Sequence, residues 1–325
     1  MKTHKQSEYF RHRTRKPVNL AYLAATTGLA FRHRHEQGIL RVTGRDRLAW
    51  LNGLLTNDVI TQTTCYAAWL TPQGRMITDM FVASSGHETL LEVPAPLAAS
   101  LATRLDGLIF TEDARLTDVS DELMAVEVCG PSAPAGLEAV KDSLPDGMSI
   151  DQRVVTRPLP GIVVYVPRKQ FPGVLEALTH SGATPLDDLT AEILRVEAGV
   201  PRFLVDMGED TIPLEAGLDH AISHTKGCYV GQEIIVRIRD RAHGRVARHL
   251  TGLRIEGDDV PAVDQPVLRD GRQVGRLTSA VRSAALDAPI GLAIVHRDAS
   301  DVGTRVEIGA GLPAVVAALP FTNLT

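Results

Sequence analysis

Apolar residues follow helical spacing in three stretches of the chain. They recur every three or four positions over 46–55, 172–180 and 189–198, so each stretch would place its apolar side chains on one face of a helix. Asp46 and Asp187 stand at the predicted starts of the first and third helices, where an aspartate can accept a hydrogen bond from a free backbone N–H. These stretches are predicted as amphipathic helices that pack against a core.

Two neighbouring stretches, 66–70 and 75–82, instead favour strands. A Thr-Pro-Gln-Gly sequence between them suits a type I turn, so the two should pair as an antiparallel hairpin. Because side chains alternate sides along a strand, Arg75, Ile77 and Asp79 are predicted on one face. A charged pair on this mostly apolar face could contact a ligand or form a salt bridge at a sheet edge, and the pattern does not choose between them.

Short strands dominate the chain after about residue 248. A hairpin is predicted over 267–274, because an Asp-Gly turn separates its two strands. Further strands are predicted at 277–281, 291–296, 305–308 and 314–317. Closely spaced strands of this kind are typical of a small antiparallel β-barrel, here over 248–325.

The region before the barrel predicts a mixed architecture. Strands within 116–128 and at 162–166 accompany the predicted helix at 172–180, which indicates an α+β subdomain near 116–185. At the other end of the chain, 1–28 opens with a basic segment and is predicted as a poorly ordered arm.

Composition disfavours several classes of function but does not identify one. The chain has 325 residues, a formal net charge of −5 and 4% aromatic residues, which disfavours a general nucleic-acid surface. Its three cysteines lie far apart, without metal-ligand spacing, so a reducing, cytoplasmic location fits best. No run approaches the roughly 20 apolar residues of a membrane span. We expect a cytoplasmic protein with no membrane partner and no permanently bound metal.

One cysteine stands in an unusual setting. Cys228 lies between Gly227 and Gly231, and Lys226 precedes the first glycine. A nearby lysine favours the thiolate, which is the nucleophilic form of cysteine. A small buried cysteine on a glycine-shaped loop is the alternative, and spacing alone supports both interpretations equally.

The residues around this thiol predict a helix and leave a metal site open. Glu233 would lie in the first turn of the helix and pair with Arg237 four residues later. His220 and His224, also four residues apart, could share a helix face and bind a metal together with Cys228. No further ligand has suitable spacing, so the metal site is the weaker hypothesis.

The string Lys-Gly-Cys-Tyr-Val-Gly-Gln-Glu at 226–233 closely resembles the signature of the YgfZ-type folate-binding proteins. These are paralogues of the glycine cleavage T-protein, an aminomethyltransferase. Further blocks that resemble the family follow in its order, at 44–47, 54–59, 71–75, 195–199, 212–216 and 275–280. The resemblance implies a T-protein-like cloverleaf of three subdomains around a central folate cavity, with a folate-binding region over 29–247 followed by the barrel.

The resemblance also implies roles for particular residues. Cys228 would be the functional thiol. The other motif residues would shape its site: Lys226, Gly227, Tyr229, Gly231, Gln232 and Glu233. Asp79 matches the acid that T-proteins place beside the folate. Arg75, Glu197 and Arg237, which stand out by charge and position, complete the predicted folate site.

Two departures from the T-protein pattern shape the functional hypothesis. T-proteins carry two adjacent acids where this chain has Asp79 and Met80, and a Gly-x-Glu segment that reads the pterin ring where 161–164 here has no carboxylate. The first hypothesis is therefore an accessory protein, not a conventional turnover enzyme. It would bind tetrahydrofolate or another reduced folate and use Cys228 on iron–sulfur client enzymes, including tRNA-modifying ones. The alternative is a folate-dependent aminomethyltransferase or demethylase that uses Asp79, and direct tRNA binding is not expected.

Overall fold

The computed structural model describes residues 19–141, 149–152, 161–241 and 245–322. These ranges contain seven α-helices: α1 (Leu20–Thr27), α2 (Arg47–Leu54), α3 (Ala98–Asp106), α4 (Ala133–Val140), α5 (Phe171–His180), α6 (Asp188–Glu197) and α7 (Gln232–Arg241). They also contain sixteen strands: β1 (Ala30–His33), β2 (Gln37–Thr43), β3 (Thr64–Leu70), β4 (Met76–Ser84), β5 (Glu88–Pro94), β6 (Arg115–Asp118), β7 (Leu123–Cys129), β8 (Ser149–Gln152), β9 (Gly161–Pro167), β10 (Thr184–Pro185), β11 (Arg248–Ile255), β12 (Pro266–Arg269), β13 (Arg272–Ser283), β14 (Ala288–His296), β15 (Arg305–Ile308) and β16 (Leu312–Ala317).

The strands build two five-stranded sheets and one closed barrel. The first sheet has the order β3-β4-β5-β2-β6 and contains the predicted hairpin. The second has the order β10-β1-β7-β9-β8, and α4 and α5 pack against its strands. The barrel has the order β11-β14-β13-β12-β15-β16, and its β12–β13 turn holds Asp270 and Gly271 at positive φ, as the Asp-Gly signal requires. The predicted α+β class and C-terminal antiparallel barrel are confirmed.

A β-bulge in β4 decides which of its side chains face the space between the two sheets. Trp69 pairs with Thr78 while the next residue on β3 pairs with Met76, so Ile77 is an extra residue on β4. Ile77 packs with the apolar side chains on one side of the sheet, whereas Asp79 faces the other side. The prediction that Ile77 and Asp79 share a face is wrong, because two-residue alternation does not continue through a bulge.

The two predicted N-caps behave differently. Asp187 accepts the Thr190 N–H at 2.8 Å and caps α6, as predicted. Asp46 also occupies the N-cap position of α2, but its carboxylate accepts the N–H of Asp113 at 2.8 Å and no hydrogen bond from α2. This contact ties the start of α2 to a neighbouring loop.

The predicted basic arm over 1–28 lies partly outside the described residues, which begin at 19. Its described part differs from the prediction, because α1 is an ordered helix. Asn19 caps this helix by accepting the Tyr22 N–H at 3.0 Å, and the Tyr22 hydroxyl donates to Glu197 at 2.7 Å. Helix α1 is therefore fixed against α6. Within the part of the chain that the structure describes, no helix has the length and hydropathy to cross a bilayer.

One buried arginine fixes helix α6 to the barrel. Arg195 donates to Asp206 and to Ser279 at 2.6 Å each, and Asp206 also accepts a hydrogen bond from Thr278 at 2.6 Å. Arg195 also donates to Glu192 within its own helix. Residues from three separate parts of the chain thus meet in one polar cluster that holds α6 on β13.

Candidate functional site

A cavity of about 460 Å³ lies between the two sheets and α6. Side chains from β3, β4, β5 and β7 line it, together with the turn at 34–36 and residues of α6 and 200–202. Small-molecule sites commonly have volumes of roughly 300–1,000 Å³. The cavity therefore has the size of a ligand site, and it lies where strands of both sheets converge.

Asp79 is the carboxylate that the bulge in β4 directs into this cavity. It accepts a short hydrogen bond from the hydroxyl of Tyr66 on β3. Burial raises the pKa of Asp79 to about 6 from its usual 3.8, although the hydrogen bond from Tyr66 acts in the opposite direction. Burial also raises the pKa of Tyr66 well above 10, so its hydroxyl keeps its proton and remains the donor. An acid with a pKa close to neutrality can both accept and return a proton.

A chain of alternating charges lines another wall of the cavity. We call it the ionic cluster: Glu127, Arg32, Glu36, Arg34 and Glu92. Arg32 bonds to Glu127 and Glu36 at 2.8 Å each, while Arg34 lies 2.8 Å from Glu92 and 3.7 Å from Glu36. Burial alone would raise the pKa of Glu36, but the charges of Arg32 and Arg34 outweigh it and hold that pKa below its usual value. The cluster joins β5 of one sheet to β1 and β7 of the other.

The thiol motif forms a loop that is anchored by its lysine. The ammonium group of Lys226 donates to the backbone carbonyls of Asn52, Leu55 and Asn57 at 2.5, 2.7 and 3.0 Å. Burial lowers the pKa of Lys226 to about 8 from 10.5. All three donors of the ammonium are used on these carbonyls, so Lys226 fixes the loop in place.

Two further motif residues complete the loop. Tyr229 is buried, and its ring centre lies 5.2 Å from the Lys226 ammonium, a cation–π distance. Gly231 has φ +84°, and a side chain there would place its Cβ 2.6 Å from the carbonyl oxygen of Thr71. The thiol loop therefore passes close to the β3–β4 turn at Gly231. Among the motif residues, this is the position that only glycine occupies without strain. Helix α7 begins at the next residue.

Cys228, carried by this loop, is exposed to solvent, whereas Cys65 and Cys129 are buried. This exposure favours a reachable thiol over the small buried cysteine of the alternative interpretation. Cys228 is not among the residues that line the cavity. The thiol and Asp79 are thus separate features.

The segment at 55–57 connects the loop to the cavity wall. Asn57 donates to the backbone carbonyl of Tyr66 at 2.8 Å, and its own carbonyl accepts from Lys226. Thr56 accepts the N–H of Ala68 at 2.8 Å, and its carbonyl accepts the N–H of Ser223 at 3.0 Å. One short segment therefore holds strand β3, which carries Tyr66, and the segment that leads into the thiol loop.

Replacing Lys226 with methionine should reduce the free energy of unfolding by about 1–3 kcal/mol, because three partly buried carbonyls lose their donor. The measurement is urea unfolding followed by circular dichroism. Lys169→Met, at an exposed lysine, is the matched control and should change stability by less than about 0.5 kcal/mol. Equal urea midpoints for the two variants would show that the hydrogen bonds of Lys226 do not contribute to stability.

The other predicted site residues lie outside the cavity lining. Arg75 is exposed and donates to the backbone carbonyl of Asp210. Glu197 is fully buried and accepts hydrogen bonds from Tyr22 and from Ser283, the latter at 2.6 Å. Its position joins α1, α6 and the barrel, so it acts as a structural carboxylate and its predicted contact with folate has no support from the fold.

Helix α7 carries most of the remaining predicted residues. Arg237 forms the predicted i,i+4 ion pair with Glu233, at 2.8 Å on the exposed surface. Gln232 is the first residue of the helix. Before the helix, Gly227 stands in open space, because a Cβ at that position would meet no atom within 4 Å beyond its chain neighbours. None of these residues lines the cavity, so their predicted roles remain predictions.

Metal ligation has no structural support in the described ranges. Those ranges contain no group of three or more His, Cys, Asp or Glu side chains placed to hold a metal ion. His220 instead stacks on Tyr66, with 5.8 Å between ring centres, and His224 lies 3.4 Å from Asp219. Both histidines are exposed and contact these neighbours, not a set of metal ligands among the described residues.

Sequence reasoning missed Tyr66 and the whole ionic cluster. A signal was present in two strands: Glu92 and Glu127 are single carboxylates within otherwise apolar runs. Because carboxylates are seldom buried without a partner, each such position predicts a buried ion pair or a ligand contact. The partners, Arg32 and Arg34, are distant in sequence and could not be assigned.

Comparisons with known proteins agree with this architecture. Residues 7–149 match the family model of the GCVT N-terminal domain, and residues 248–322 match that of the glycine cleavage T-protein C-terminal barrel domain. A solved structure, the glycine cleavage system aminomethyltransferase T from Bartonella henselae, superposes with a TM-score of 0.82. It covers 93% of this chain and 89% of that chain at 18% identity, which confirms the T-protein-like fold.

Curated relatives extend the match to sequence. An aminomethyltransferase from Rippkaea orientalis is 30% identical over 280 residues, which cover 79% of this chain and 75% of the relative. An aminomethyltransferase from Streptomyces avermitilis is 29% identical over 320 residues, covering 87% and 84% of the two chains. With its cavity between two sheets, its C-terminal barrel and these matches along both, the chain belongs to the glycine cleavage T-protein (GCVT) family.

Proposed function

We propose that this protein binds a reduced folate in the cavity between the sheets and transfers a one-carbon unit to or from it, as a folate-dependent aminomethyltransferase does. The observation that carries the proposal is Asp79, a carboxylate with a pKa of about 6 held in the cavity by Tyr66. The relatives named aminomethyltransferase support the same class of reaction. Tetrahydrofolate is the expected form of the folate.

The cavity residues suit such a ligand. The reduced pterin ring is neutral and rich in hydrogen-bond donors, and the cavity presents several carboxylates to accept them. As the folate nitrogen forms its bond to the one-carbon unit, the bond between that unit and its donor breaks. Asp79 would accept the proton that the folate nitrogen loses and supply it to the departing donor group, and the reverse step would return it to the nitrogen. Tyr66 keeps the carboxylate oriented because its own proton is not lost near neutral pH.

The test is a transfer assay with tetrahydrofolate and aminomethyl or methylated-amine donors. Formation of a one-carbon derivative of tetrahydrofolate by the wild-type protein, with turnover lost in Asp79→Asn, would support the proposal. Tetrahydrofolate binding without transfer from any donor of these classes would restrict the protein to folate binding. Failure to bind tetrahydrofolate would refute the proposal.

A second candidate function follows from the thiol loop. Cys228 is exposed on a loop whose anchor, Lys226, is partly buried, and this arrangement presents one thiol on the surface. It supports an accessory role in assembling or repairing iron–sulfur clusters in client enzymes, with folate bound in the cavity. A lone exposed thiol is accessible for transient exchange with a partner's sulfur.

Cys228→Ser should lower the activity of cluster-dependent enzymes in the host several-fold and leave the melting temperature unchanged, because an exposed thiol contributes little to packing. In vitro, one thiol per folded wild-type chain should react rapidly with iodoacetamide, and none in the variant. Cys65→Ala, at a buried cysteine, is the control and should keep the reactive thiol. Full complementation by Cys228→Ser would refute the accessory role. If the protein is instead an aminomethyltransferase that uses Asp79, the Cys228→Ser variant should keep its transfer activity.

A further inference from the structure

Three buried atoms of two residues on the cavity wall have no hydrogen-bond partner among the described residues: Oε2 of Glu36, and Nε and Nη1 of Arg34. Nη1 has an ionic contact with Glu92 at 2.8 Å, whereas Oε2 and Nε have no charged partner at such a distance. Their side chains line the cavity. Arg34 Nε lies 3.7 Å from the other oxygen of Glu36, which is too long for a direct hydrogen bond.

Each of these two residues already has one ionic partner within the ionic cluster. Glu36 is held by Arg32 at 2.8 Å, and Arg34 is held by Glu92 at 2.8 Å. Burying a further acceptor and a further donor without partners costs free energy, so their retention requires an explanation. A carboxylate oxygen and a guanidinium N–H side by side form an acceptor–donor edge that a ligand can complete.

We infer that Glu36 and Arg34 recognise the ring of the reduced folate, and so determine the ligand specificity of the cavity. The inference rests on the proposed function. The 2-amino group and the adjacent ring N–H of a pterin donate to Glu36, and its 4-oxo oxygen accepts from Arg34.

The surrounding charges favour the ring over the glutamate tail of the same ligand. Tail carboxylates placed beside Arg34 would also meet Glu36, Glu92 and Glu127, three carboxylates of the ionic cluster. Repulsion between like charges in a partly desolvated cavity opposes that orientation. A neutral ring with several donors meets no such repulsion.

The experiment is anaerobic titration calorimetry of the full chain with three probes: tetrahydrofolate, 6-methyltetrahydropterin, which lacks the tail, and p-aminobenzoylglutamate, which lacks the ring. Glu36→Gln should weaken binding of both ring-bearing probes at least about tenfold, because an amide replaces an acceptor by a donor. Arg34→Lys, which keeps the charge beside Glu92, should do the same. Binding of the tail probe should not change.

Glu88→Gln is the matched control. Glu88 is also paired with an arginine, Arg41 at 2.8 Å, and is similarly exposed at 27% against 22% for Glu36, but it does not line the cavity. Its variant should bind all probes as the wild type does. Wild-type binding of tetrahydrofolate with no change in Glu36→Gln and Arg34→Lys would overturn this inference alone, as would a loss confined to the tail probe. No binding by the wild type would overturn the proposed function and the inference together.

Discussion

Replacing Asp79 with asparagine should reduce folate-dependent transfer by about 10²–10⁴-fold, the usual contribution of a general acid–base group. Asparagine keeps the shape and can still accept from Tyr66, so folate binding should change much less than turnover. Turnover is measured at saturating tetrahydrofolate, and binding by calorimetry. Equal losses in binding and turnover would assign Asp79 to recognition alone.

The wild-type rate should also depend on pH through this residue. Acting as a base, Asp79 must be ionised, and its pKa is about 6. Transfer should therefore decline as pH falls through about 6. A rate that rises below that pH would show that the protonated acid is the active form.

The same variant should be more stable than the wild type at neutral pH. The pKa of Asp79 is about 6 in the folded state against 3.8 ordinarily, so the folded state binds the proton more tightly and loses stability as pH rises from about 4 to about 6. At about 1.4 kcal/mol per pKa unit, Asp79→Asn should gain at most about 3 kcal/mol at pH 7.5, and almost nothing near pH 4. Urea unfolding at several pH values measures this difference. Asp121→Asn, at a fully exposed carboxylate, should show no such trend.

Replacing Arg195 with methionine should destabilise the protein by about 3–5 kcal/mol, because it leaves Asp206 buried without its countercharge. Asp206 would retain its hydrogen bonds from Thr278 and Ser279, which cannot neutralise it. The cost arises at the junction of α6 and the barrel. Unfolding by urea with two probes, near-UV and far-UV circular dichroism, measures both the loss and its cooperativity.

The chain offers a matched control for this prediction. Arg45 and Asp113 form an ion pair at the same distance, 2.6 Å, but the arginine is 88% exposed, against 9% for Arg195. Arg45→Met should cost at most about 1 kcal/mol, since solvent screens exposed pairs. Similar losses in both variants would mean that burial at the junction does not decide the cost.

The fold followed from local patterns more completely than the site did. Apolar spacing and turn chemistry located α6, the β3–β4 hairpin and the barrel, because these signals act over a few residues. The same local reasoning placed Ile77 beside Asp79, since a bulge is decided by pairing with β3 and not by β4 itself. Strand alternation and the glycine and lysine setting singled out Asp79 and Cys228, but their predicted roles beside a folate and as a functional thiol came from resemblance to a family.

The ionic cluster shows where such reasoning ends. Its members come from β1, the following turn, β5 and β7, so their contacts depend on how two sheets meet. Glu197 shows the converse: an acid at the end of a helix suggested a functional role, yet Tyr22 and Ser283 from distant parts of the chain satisfy it. Charge alone could not separate a ligand contact from a structural bond, because the partner was unknown in both cases.

The anchoring of the thiol loop has a consequence for protein engineering. Lys226 can anchor the loop only where the backbone at 52–57 directs its carbonyls toward the ammonium group. A glycine at position 231 is required only where the β3–β4 turn passes close by. Grafting the eight-residue motif alone onto another member of the family would therefore not reproduce the conformation of the loop. A transferable unit has to include the receiving segment, which lies about 170 residues earlier in the chain.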